Sequence, residues 1–229
     1  MLKAVILDLD NTLTDFMRMK SVSIEAAVES MIDAGLDMDP EEAKAKLFEI
    51  YDREGIEDQR VFDRFLNENF GEIDPMLHTA AILGYRRGRE YTLVLYPHVK
   101  RTLIGLAKRG LKLVVLSDAP RYQAWSRLCY LQLQHFFDHV ITFEDTHVRK
   151  PDPAPFMRAI ELLQMKPDEV IMVGDWPERD MVGGRGVGIR TVYARYGDTS
   201  GAATSGADYE IDDIAELAGI VDELMGGAG

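Results

Sequence analysis

Five short apolar runs alternate with amphipathic segments along most of this chain. The runs are "AVIL" (4–7), "LKLVVL" (111–116), "HVIT" (139–142), "EVIMV" (169–173) and "IRTVYA" (189–194). Such nearly continuous runs, rich in β-branched residues, are typical of strands buried on both faces of a parallel sheet. Segments with helical periodicity separate them at 99–110, 119–133 and 153–165. The alternation indicates βαβ units with right-handed crossovers, and so predicts an α/β fold with a doubly wound, Rossmann-like parallel sheet.

The segment between the first and second runs has a different pattern, because its apolar residues recur at helical spacing without a strand-like run. The first predicted helix of this segment ends at Gly35. The second begins with Asp39 as N-cap, Pro40 at the first position and Glu42 in the capping-box position. Apolar stripes indicate the helices, and they comprise Val22/Ile24/Val28/Met31/Ile32, Ala43/Leu47/Ile50/Tyr51, Phe62/Phe65/Leu66 and Leu77/Ala80/Ala81. We therefore predict an all-helical domain at 15–96, inserted into a catalytic core formed by 1–14 and 97–229.

The C-terminal region predicts a loop, a short strand and a last helix. The loop is rich in Gly, Ser, Thr and Ala and lies within 196–217. The final "GGAG" (226–229) is expected to fray.

Composition excludes several classes of function. A net charge of -13 argues against nucleic-acid binding, which depends on neutralisation of phosphates by Lys and Arg. The single cysteine, Cys129, excludes an internal disulfide, and we expect it to be a small buried residue. No stretch reaches the length of a membrane span and the N-terminal apolar run is too short for a signal peptide, so we expect a cytoplasmic protein with no membrane partner.

Polar side chains follow four of the predicted strands, where each strand ends. They are Asp8 and Asp10 after the first run, Ser117 after the second, Lys150 on the loop after the third, and Asp175 and Asp180 after the fourth. Taken singly, a strand-terminal Asp or Ser is often a cap or turn residue, and a lone Lys is usually solvated. Ligands of parallel sheets bind at the carboxyl ends of the strands, so together these groups predict a site.

The chemistry that fits this set of groups is phosphoryl transfer through an enzyme carboxylate. Asp8 and Asp10 lie so close in sequence that their like charges call for a shared cation or proton. Carboxylates and a backbone carbonyl are hard ligands that suit Mg²⁺, while an ammonium and a hydroxyl can hold phosphoryl oxygens. One Asp can attack phosphorus while the other protonates the leaving oxygen and then activates water.

The four motifs together resemble those of the haloacid dehalogenase (HAD) superfamily. They are "DLDNTLT" (8–14), Ser117, "KPDP" (150–153) and "GDWPERD" (174–180), in the order found in that family. The resemblance covers the whole chain apart from its tail. The helical segment after the first motif is similar to the subfamily with an α-helical cap.

The resemblance implies a role for each carboxylate. Asp8 is expected to be the nucleophile and a metal ligand, and Asp10 the general acid/base, whose backbone carbonyl also ligates Mg²⁺. Asp175 would complete the protein ligands, with Asp180 as a nearby supporting carboxylate.

The resemblance also implies which groups bind the phosphoryl group. Ser117 and Lys150 would hold it, aided by the backbone N–H of Asp118. Many relatives carry Asn at the position of Asp118, which argues against contact between its carboxylate and an anionic substrate. Thr12 is expected to stabilise the loop near the acid/base, with backbone contacts from Asn11. The peptide bond before Pro151 is a candidate for the cis form.

The most favoured function is thus a Mg²⁺-dependent phosphatase that acts on a small phosphorylated metabolite through an aspartyl-phosphate. One alternative is a phosphomutase of the β-phosphoglucomutase type, and another is a non-enzymatic phospho-acceptor like a response-regulator receiver. Dehalogenases of the superfamily typically lack the second aspartate, here Asp10, and pumps need membrane helices. The substrate and the oligomeric state, monomer or dimer, stay open.

Two further groups are candidates for substrate contact. Phe16, Arg18 and Lys20 lie where the chain leaves the nucleophile loop for the predicted cap. The cluster Arg86, Arg87 and Arg89 is either a solvated helix face or a source of cations for the substrate. The glycine-rich "GGRGVG" (183–188) does not satisfy G-x-G-x-x-G and indicates close backbone packing rather than a dinucleotide site.

Overall fold

A parallel sheet of six strands forms the centre of the larger part of the protein. The computed structural model describes residues 1–199, 201 and 204–226. Its strands are β1 (Ala4–Leu7), β2 (Lys112–Leu116), β3 (His139–Ile141), β4 (Val170–Gly174), β5 (Arg190–Ala194) and β6 (Tyr209–Ile211). They lie in the order β3-β2-β1-β4-β5-β6, and every neighbouring pair is parallel. The chain winds outward from β1 to one edge and from β4 to the other, which confirms the doubly wound α/β fold and places its switch point between β1 and β4.

Each of the five apolar runs coincides with one observed strand to within one residue at either end, and the central strands are buried as predicted. Val5, Ile6 and Leu7 are fully buried in β1. In register, Ile6 lies opposite Val114 of β2 and Met172 of β4. A strand with neighbours on both sides and helices on both faces has no solvent-facing side, which is why its sequence does not alternate. The predicted C-terminal strand is β6, at the edge of the sheet.

Four helices occupy the predicted insertion. They are α1 (Phe16–Asp33), α2 (Pro40–Glu54), α3 (Val61–Phe70) and α4 (Pro75–Thr92). Helix α2 begins as predicted, because the Asp39 carboxylate accepts the backbone N–H groups of Glu41 and Glu42 at 3.0 and 3.1 Å. Asp74 caps α4 in the same way. A cap of this kind stabilises a helix by about 1 kcal/mol.

The four helices enclose an apolar core of their own, and α1 and α4 pack closely. The core includes Ile24, Met31, Leu47, Phe65 and Ala81, among others. A Cβ at Gly84 would lie 2.3 Å from a backbone oxygen of α1, and one at Gly88 would lie 2.8 Å from a backbone carbon of α1. Both glycines therefore allow a close approach that no larger residue permits.

The described residues from Val94 onward contain six further α-helices, some very short. They are α5 (Val99–Lys108), α6 (Arg121–Tyr130), α7 (Phe143–Thr146), α8 (Pro153–Leu163), α9 (Val182–Gly186) and α10 (Leu217–Gly226). Helices α5, α6 and α8 confirm the three predicted segments but end earlier than predicted. A residue in the left-handed backbone conformation follows the end of each helix, at Gly110, Gln132 and Gln164.

Backbone contacts divide the described chain into two compact units. The first comprises Met1–Asp15 and Val94–Gly229, and the second comprises Phe16–Leu93. We refer to them below as the core unit and the helical unit. Within the described ranges, no helix combines the length and the apolar character needed to cross a membrane.

One expectation from the sequence is wrong, and one lies outside the described residues. Cys129 is exposed rather than buried. Helix α6 buries Ala124, Arg127 and Leu128, and a rotation of about 100° per residue turns the next position toward solvent. Of the predicted frayed end, 227–229 fall outside the described residues. The glycine-rich segment 183–188 does serve close packing, because a Cβ at Gly183 would lie 2.2 Å from the ring of Phe156.

Candidate active site

The predicted strand-end residues meet at one edge of the sheet in the core unit. Asp8 directly follows β1, and its backbone N–H donates to Val173 of β4 at 2.9 Å. Ser117 directly follows β2 and Asp175 directly follows β4. Since β1, β2 and β4 are adjacent, their carboxyl ends bring these residues to the switch point of the fold.

Lys150 lies at the centre of this group. Its ammonium donates to Asp8 Oδ1 at 2.5 Å, to Asp180 Oδ1 at 2.6 Å and to the backbone carbonyl of Leu116 at 3.2 Å. The side chains of Lys150, Asp8 and Asp180 are 4%, 10% and 1% exposed, so the ion pairs are buried. The Lys150–Pro151 peptide bond is cis, as the sequence suggested.

Asp175 joins the same cluster from the loop after β4. Thr12 Oγ1 donates to Asp175 Oδ1 at 2.9 Å, so the first motif holds a carboxylate of the fourth. Carboxylate oxygens of Asp8, Asp175 and Asp180 lie within 4.8 Å of one another, and all three residues are buried. The structure thus brings together three of the four predicted carboxylates around a single ammonium.

Burial and crowding perturb the pKa values of the cluster. Desolvation raises the pKa of Asp8 to about 7, with further increases from Asp180 and Asp10, against the attraction of Lys150. Desolvation, followed by repulsion from Asp8 and Asp180, also raises the pKa of Asp175 well above its ordinary value. For Lys150, desolvation lowers the pKa, but the carboxylates of Asp180 and Asp8 raise it by more. The net shift is upward, so the ammonium stays charged. Burial and the repulsion between the carboxylates thus outweigh the attraction of Lys150, and both favour the uptake of a proton or a cation by the cluster.

This excess of buried carboxylate is the property that a divalent cation would correct. Mg²⁺ prefers hard oxygen ligands and is commonly held by one or two carboxylates together with substrate oxygens. Asp8 and Asp175 supply such oxygens, and the desolvation and mutual repulsion that raise their pKa values would both be offset by a bound cation. The donor set fits magnesium.

Ser117 and Asp118 make contacts that tie the motifs together. The Ser117 hydroxyl accepts the backbone N–H of Ala119 at 3.1 Å. The Asp118 carboxylate accepts the backbone N–H of Lys150 at 2.9 Å and a guanidinium N–H of Arg179 at 3.2 Å. The carboxylate of Asp118 thus links the second motif to the third and fourth.

Two arginines of the site were not anticipated from the sequence. Arg127, on the buried side of α6, donates from Nη1 to Asp10 Oδ2 at 3.0 Å. Arg179 pairs with Asp118 and lies over the ring of Trp176, 3.8 Å from its centre. A charged residue on the apolar stripe of an amphipathic helix is the signal that could have identified Arg127.

The loop after β5 contacts the loop of the first motif, and this contact was missed. The Tyr196 hydroxyl donates to the carbonyl oxygen of Thr12 at 2.8 Å. A Cβ at Gly197 would lie 1.7 Å from the carbonyl oxygen of Asn11, so only glycine fits there. Because β5 neighbours β4, the pair "YG" that follows it lies at the same edge of the sheet as the other motifs, and its position after a strand was the available signal.

The remaining predicted contacts belong to the helical unit. The Lys20 ammonium is buried, lies 4.1 Å from the centre of the Tyr51 ring and donates to the Tyr85 hydroxyl at 3.1 Å. Phe16 is buried, and Arg18 is exposed. In the basic cluster, Arg86 and Arg87 are exposed and Arg89 is half-buried. Contact between these residues and a substrate stays a prediction.

Comparison with known proteins agrees with the motifs and the fold. A family model described as haloacid dehalogenase-like hydrolase matches residues 5–194. The glyceraldehyde 3-phosphate phosphatase of Methanocaldococcus jannaschii is 34% identical over 227 residues, which cover 98% of this chain and 99% of that protein. The pyrophosphatase PpaX of Bacillus mycoides is 32% identical over 168 residues, which cover 70% of this chain and 77% of that protein.

A solved structure extends the likeness to three dimensions. The HAD phosphatase from Thermococcus onnurineus superimposes with a TM-score of 0.72 and 27% identity, covering 96% of this chain and 98% of that one. The match of the family model to most of the chain, the full-length relatives and the shared fold lead to one conclusion. The chain belongs to the haloacid dehalogenase-like hydrolase family, as a phosphatase-like member and a phosphoric monoester hydrolase.

Proposed function

We propose that this protein is a Mg²⁺-dependent phosphatase that hydrolyses a small phosphorylated metabolite through an aspartyl-phosphate on Asp8. The placement of Lys150 carries the proposal, since its ammonium lies 2.5 Å from Asp8 and 2.6 Å from Asp180 at the carboxyl edge of the sheet. Phosphoryl transfer to a carboxylate needs a fixed cation beside the nucleophile, because negative charge spreads over the phosphoryl oxygens in the transition state.

The reaction divides into two steps between Asp8 and Asp10. In the first, a carboxylate oxygen of Asp8 attacks phosphorus, and the bond from phosphorus to the leaving oxygen breaks with its electron pair. Asp10 gives its proton to that oxygen, and the alcohol departs. In the second, Asp10 takes a proton from water as the water oxygen attacks phosphorus. The bond to Asp8 then breaks, and inorganic phosphate leaves.

The metal would be held by Asp8, Asp175 and the backbone carbonyl of Asp10, with Asp180 as a supporting carboxylate. When bound, Mg²⁺ supplies positive charge that Asp8 and the phosphoryl oxygens share. Thr12 contributes by holding the carboxylate of Asp175 at 2.9 Å.

The phosphoryl oxygens would be bound by Ser117, Lys150 and the backbone N–H of Asp118. A lysine ammonium has three N–H donors, and the described structure gives Lys150 three protein acceptors: Asp8, Asp180 and the carbonyl of Leu116. Lys150 would therefore exchange one of these bonds for a phosphoryl oxygen when the substrate binds.

The substrate class is proposed from the relatives. The relative from Methanocaldococcus jannaschii, which matches nearly the whole chain, acts by its name on glyceraldehyde 3-phosphate, so we place triose phosphates first among the substrates. The helical unit would act as a cap that excludes water and contributes specificity, as lids do. Phe16, Arg18 and Lys20 are its candidate contacts.

The experiment that tests the proposal is phosphate release from p-nitrophenyl phosphate and from a panel of phosphorylated metabolites. Wild type would be compared with Asp8→Asn, each with Mg²⁺ and with EDTA. The matched control is Asp168→Asn, which alters an exposed carboxylate outside the site. We expect turnover to be abolished by Asp8→Asn and by EDTA, and to be unchanged in the control.

Other outcomes would contradict parts of the proposal. Turnover that survives in Asp8→Asn would contradict the aspartyl-phosphate intermediate. Turnover that survives in EDTA would contradict the requirement for a metal. An Asp8 phosphate that forms from acetyl phosphate and persists for minutes would favour a phospho-acceptor. Interconversion of sugar phosphates without net phosphate release would favour a mutase.

A further inference from the structure

The side chain of Arg127 is buried at a position of α6 where the helix otherwise presents apolar residues. Its side chain is 7% exposed, and Ala124 and Leu128 on the same face are fully buried. A guanidinium does not lose its proton in a protein. Burying it therefore costs several kcal/mol unless a carboxylate pairs with it. Packing alone does not account for an arginine here, since an apolar residue would avoid that cost.

One partner of Arg127 is the carboxylate assigned to proton transfer. Nη1 of Arg127 lies 3.0 Å from Oδ2 of Asp10, 117 positions away in the sequence. Helix α6 follows β2 and the Ser117 turn, so this pair connects the first motif loop to the helix behind the second motif. The side chain of Asp10 is 20% exposed, so it is accessible while its orientation is restrained.

Two other cations of the site, Lys150 and Arg179, bond to other carboxylates. The Lys150 ammonium bonds to Asp8 and Asp180, and the Arg179 guanidinium bonds to Asp118. The proton-transfer carboxylate, Asp10, and the nucleophile, Asp8, thus bond to different cations, Arg127 and Lys150.

We propose that Arg127 is a positioning residue that orients the Asp10 carboxylate toward the leaving oxygen. The inference rests on the proposed function, because it requires Asp10 to be the general acid. Arg127 contacts neither the phosphoryl group nor the metal in this scheme, and its influence on the reaction goes through Asp10. In the step concerned, the leaving oxygen receives the electron pair of the broken bond to phosphorus and the proton of Asp10.

This role predicts a dependence on the leaving group. A nitrophenolate is stable as an anion and departs with little help from an acid, whereas an alkoxide needs a proton as it leaves. Misplacing Asp10 should therefore slow attack on an alkyl phosphate much more than on p-nitrophenyl phosphate. A general structural defect would slow both substrates to a similar degree.

The test compares kcat/KM for glycerol phosphate and p-nitrophenyl phosphate, because kcat/KM reports on formation of the phosphoenzyme. The variants are Arg127→Leu, Arg127→Lys and the control Arg121→Leu. Arg121 lies on the same helix and pairs with Asp145 at 2.9 Å, but its side chain is 53% exposed. Urea unfolding of each variant measures its stability separately.

For Arg127→Leu we expect a loss of about 100-fold on the alkyl phosphate and of only a few-fold on the aryl phosphate, as for a catalytic group misplaced by about an ångström. Arg127→Lys should recover part of the alkyl activity, and Arg121→Leu should match wild type. Asp10→Asn should show the same selectivity, and adding Arg127→Leu to it should cause no further loss.

Equal losses on both substrates would overturn the inference, as would additive effects of Arg127→Leu and Asp10→Asn. If the leucine variant does not fold, Arg127→Lys is judged by the same ratio of losses. Failure of the proposed function is distinguishable, since wild type would then show no turnover or Asp8→Asn would retain it. With an active wild type and an inactive Asp8→Asn, the ratio for Arg127 decides this inference alone.

Discussion

Replacing Lys150 by methionine should reveal how the buried carboxylates are held when no metal is present. The substitution keeps much of the side chain's volume but removes the ammonium that bonds to Asp8 and Asp180. Even where Asp8 is protonated, the substitution leaves the buried carboxylate of Asp180 without its ammonium partner. Removing one partner of a buried ion pair in this way costs about 3–5 kcal/mol. We expect a loss of this size in the free energy of unfolding, measured by urea unfolding in EDTA at about pH 6.

The loss should grow with pH in a defined way. In wild type the pKa of Asp8 is about 7, and the attraction of Lys150 lowers it. Without Lys150 this pKa rises further, so above pH 7 wild type can release a proton that the variant keeps. The cost of the substitution should therefore stay constant below pH 7 and increase by about 1.4 kcal/mol for each pH unit above it.

The matched control is Lys112→Met. Lys112 forms a lysine–aspartate pair of similar length, 2.7 Å to Asp138, but its side chain is 56% exposed. Exposed pairs contribute about 0–1 kcal/mol, so the control should lose less than about 1 kcal/mol. The reasoning is refuted if Lys150→Met loses no more than this control, or if its loss does not depend on pH above neutrality.

Three further predictions concern charge and close packing. In metal-free wild type, the Asp8 carboxyl has a pKa of about 7 when folded and 3.8 when unfolded, so its stabilising contribution is complete below pH 3.8 and is lost as pH rises to 7. Urea unfolding in EDTA should show a decline of about 1.4 kcal/mol per pH unit in that window, and Asp8→Asn should flatten it. Gly84→Ala places a Cβ 2.3 Å from a backbone oxygen of α1 and should lower the free energy of unfolding by about 1–3 kcal/mol. In the control Gly219→Ala the new Cβ meets nothing within 4 Å, so the free energy of unfolding should rise by about 0.5–1 kcal/mol. Thermal melts that shift in the same direction for both variants would contradict this. Gly197→Ala displaces the Asn11 carbonyl and should lower kcat about 100-fold in a phosphatase assay, and unaltered turnover would show that the nucleophile loop tolerates the shift.

Most of the fold could be predicted because the central strands consist almost entirely of apolar residues. The residues of β1 and β4 are buried on both faces, so their runs are continuously apolar and easy to recognise. The helix ends were harder to predict, since α8 stops where Gln164 takes a left-handed conformation. A glutamine gives no sequence signal for that conformation, unlike Gly110 after α5.

The site divides in the same way. Asp8, Lys150 and Asp175 could be predicted because each follows a strand end, and the topology of a parallel sheet brings strand ends together. Arg127 was missed although it interrupts the apolar stripe of α6, because the sequence does not show that this face of the helix meets Asp10. The reach of Arg179 to Asp118 depends on the π-helical turn at Pro177–Met181, and local composition does not specify such a turn.

The two ends of the inserted segment leave the core unit side by side. Thr14 and Leu95 form an antiparallel bridge, and the Tyr96 N–H donates to the Leu13 carbonyl at 3.0 Å. For the sheet, the 78 residues from Phe16 to Leu93 are therefore a single loop whose ends are already joined. The entropy of closing such a loop grows only with the logarithm of its length, so inserts of very different size cost the sheet nearly the same. The core unit can thus accept inserts of different size at this bridge without a change in its sheet.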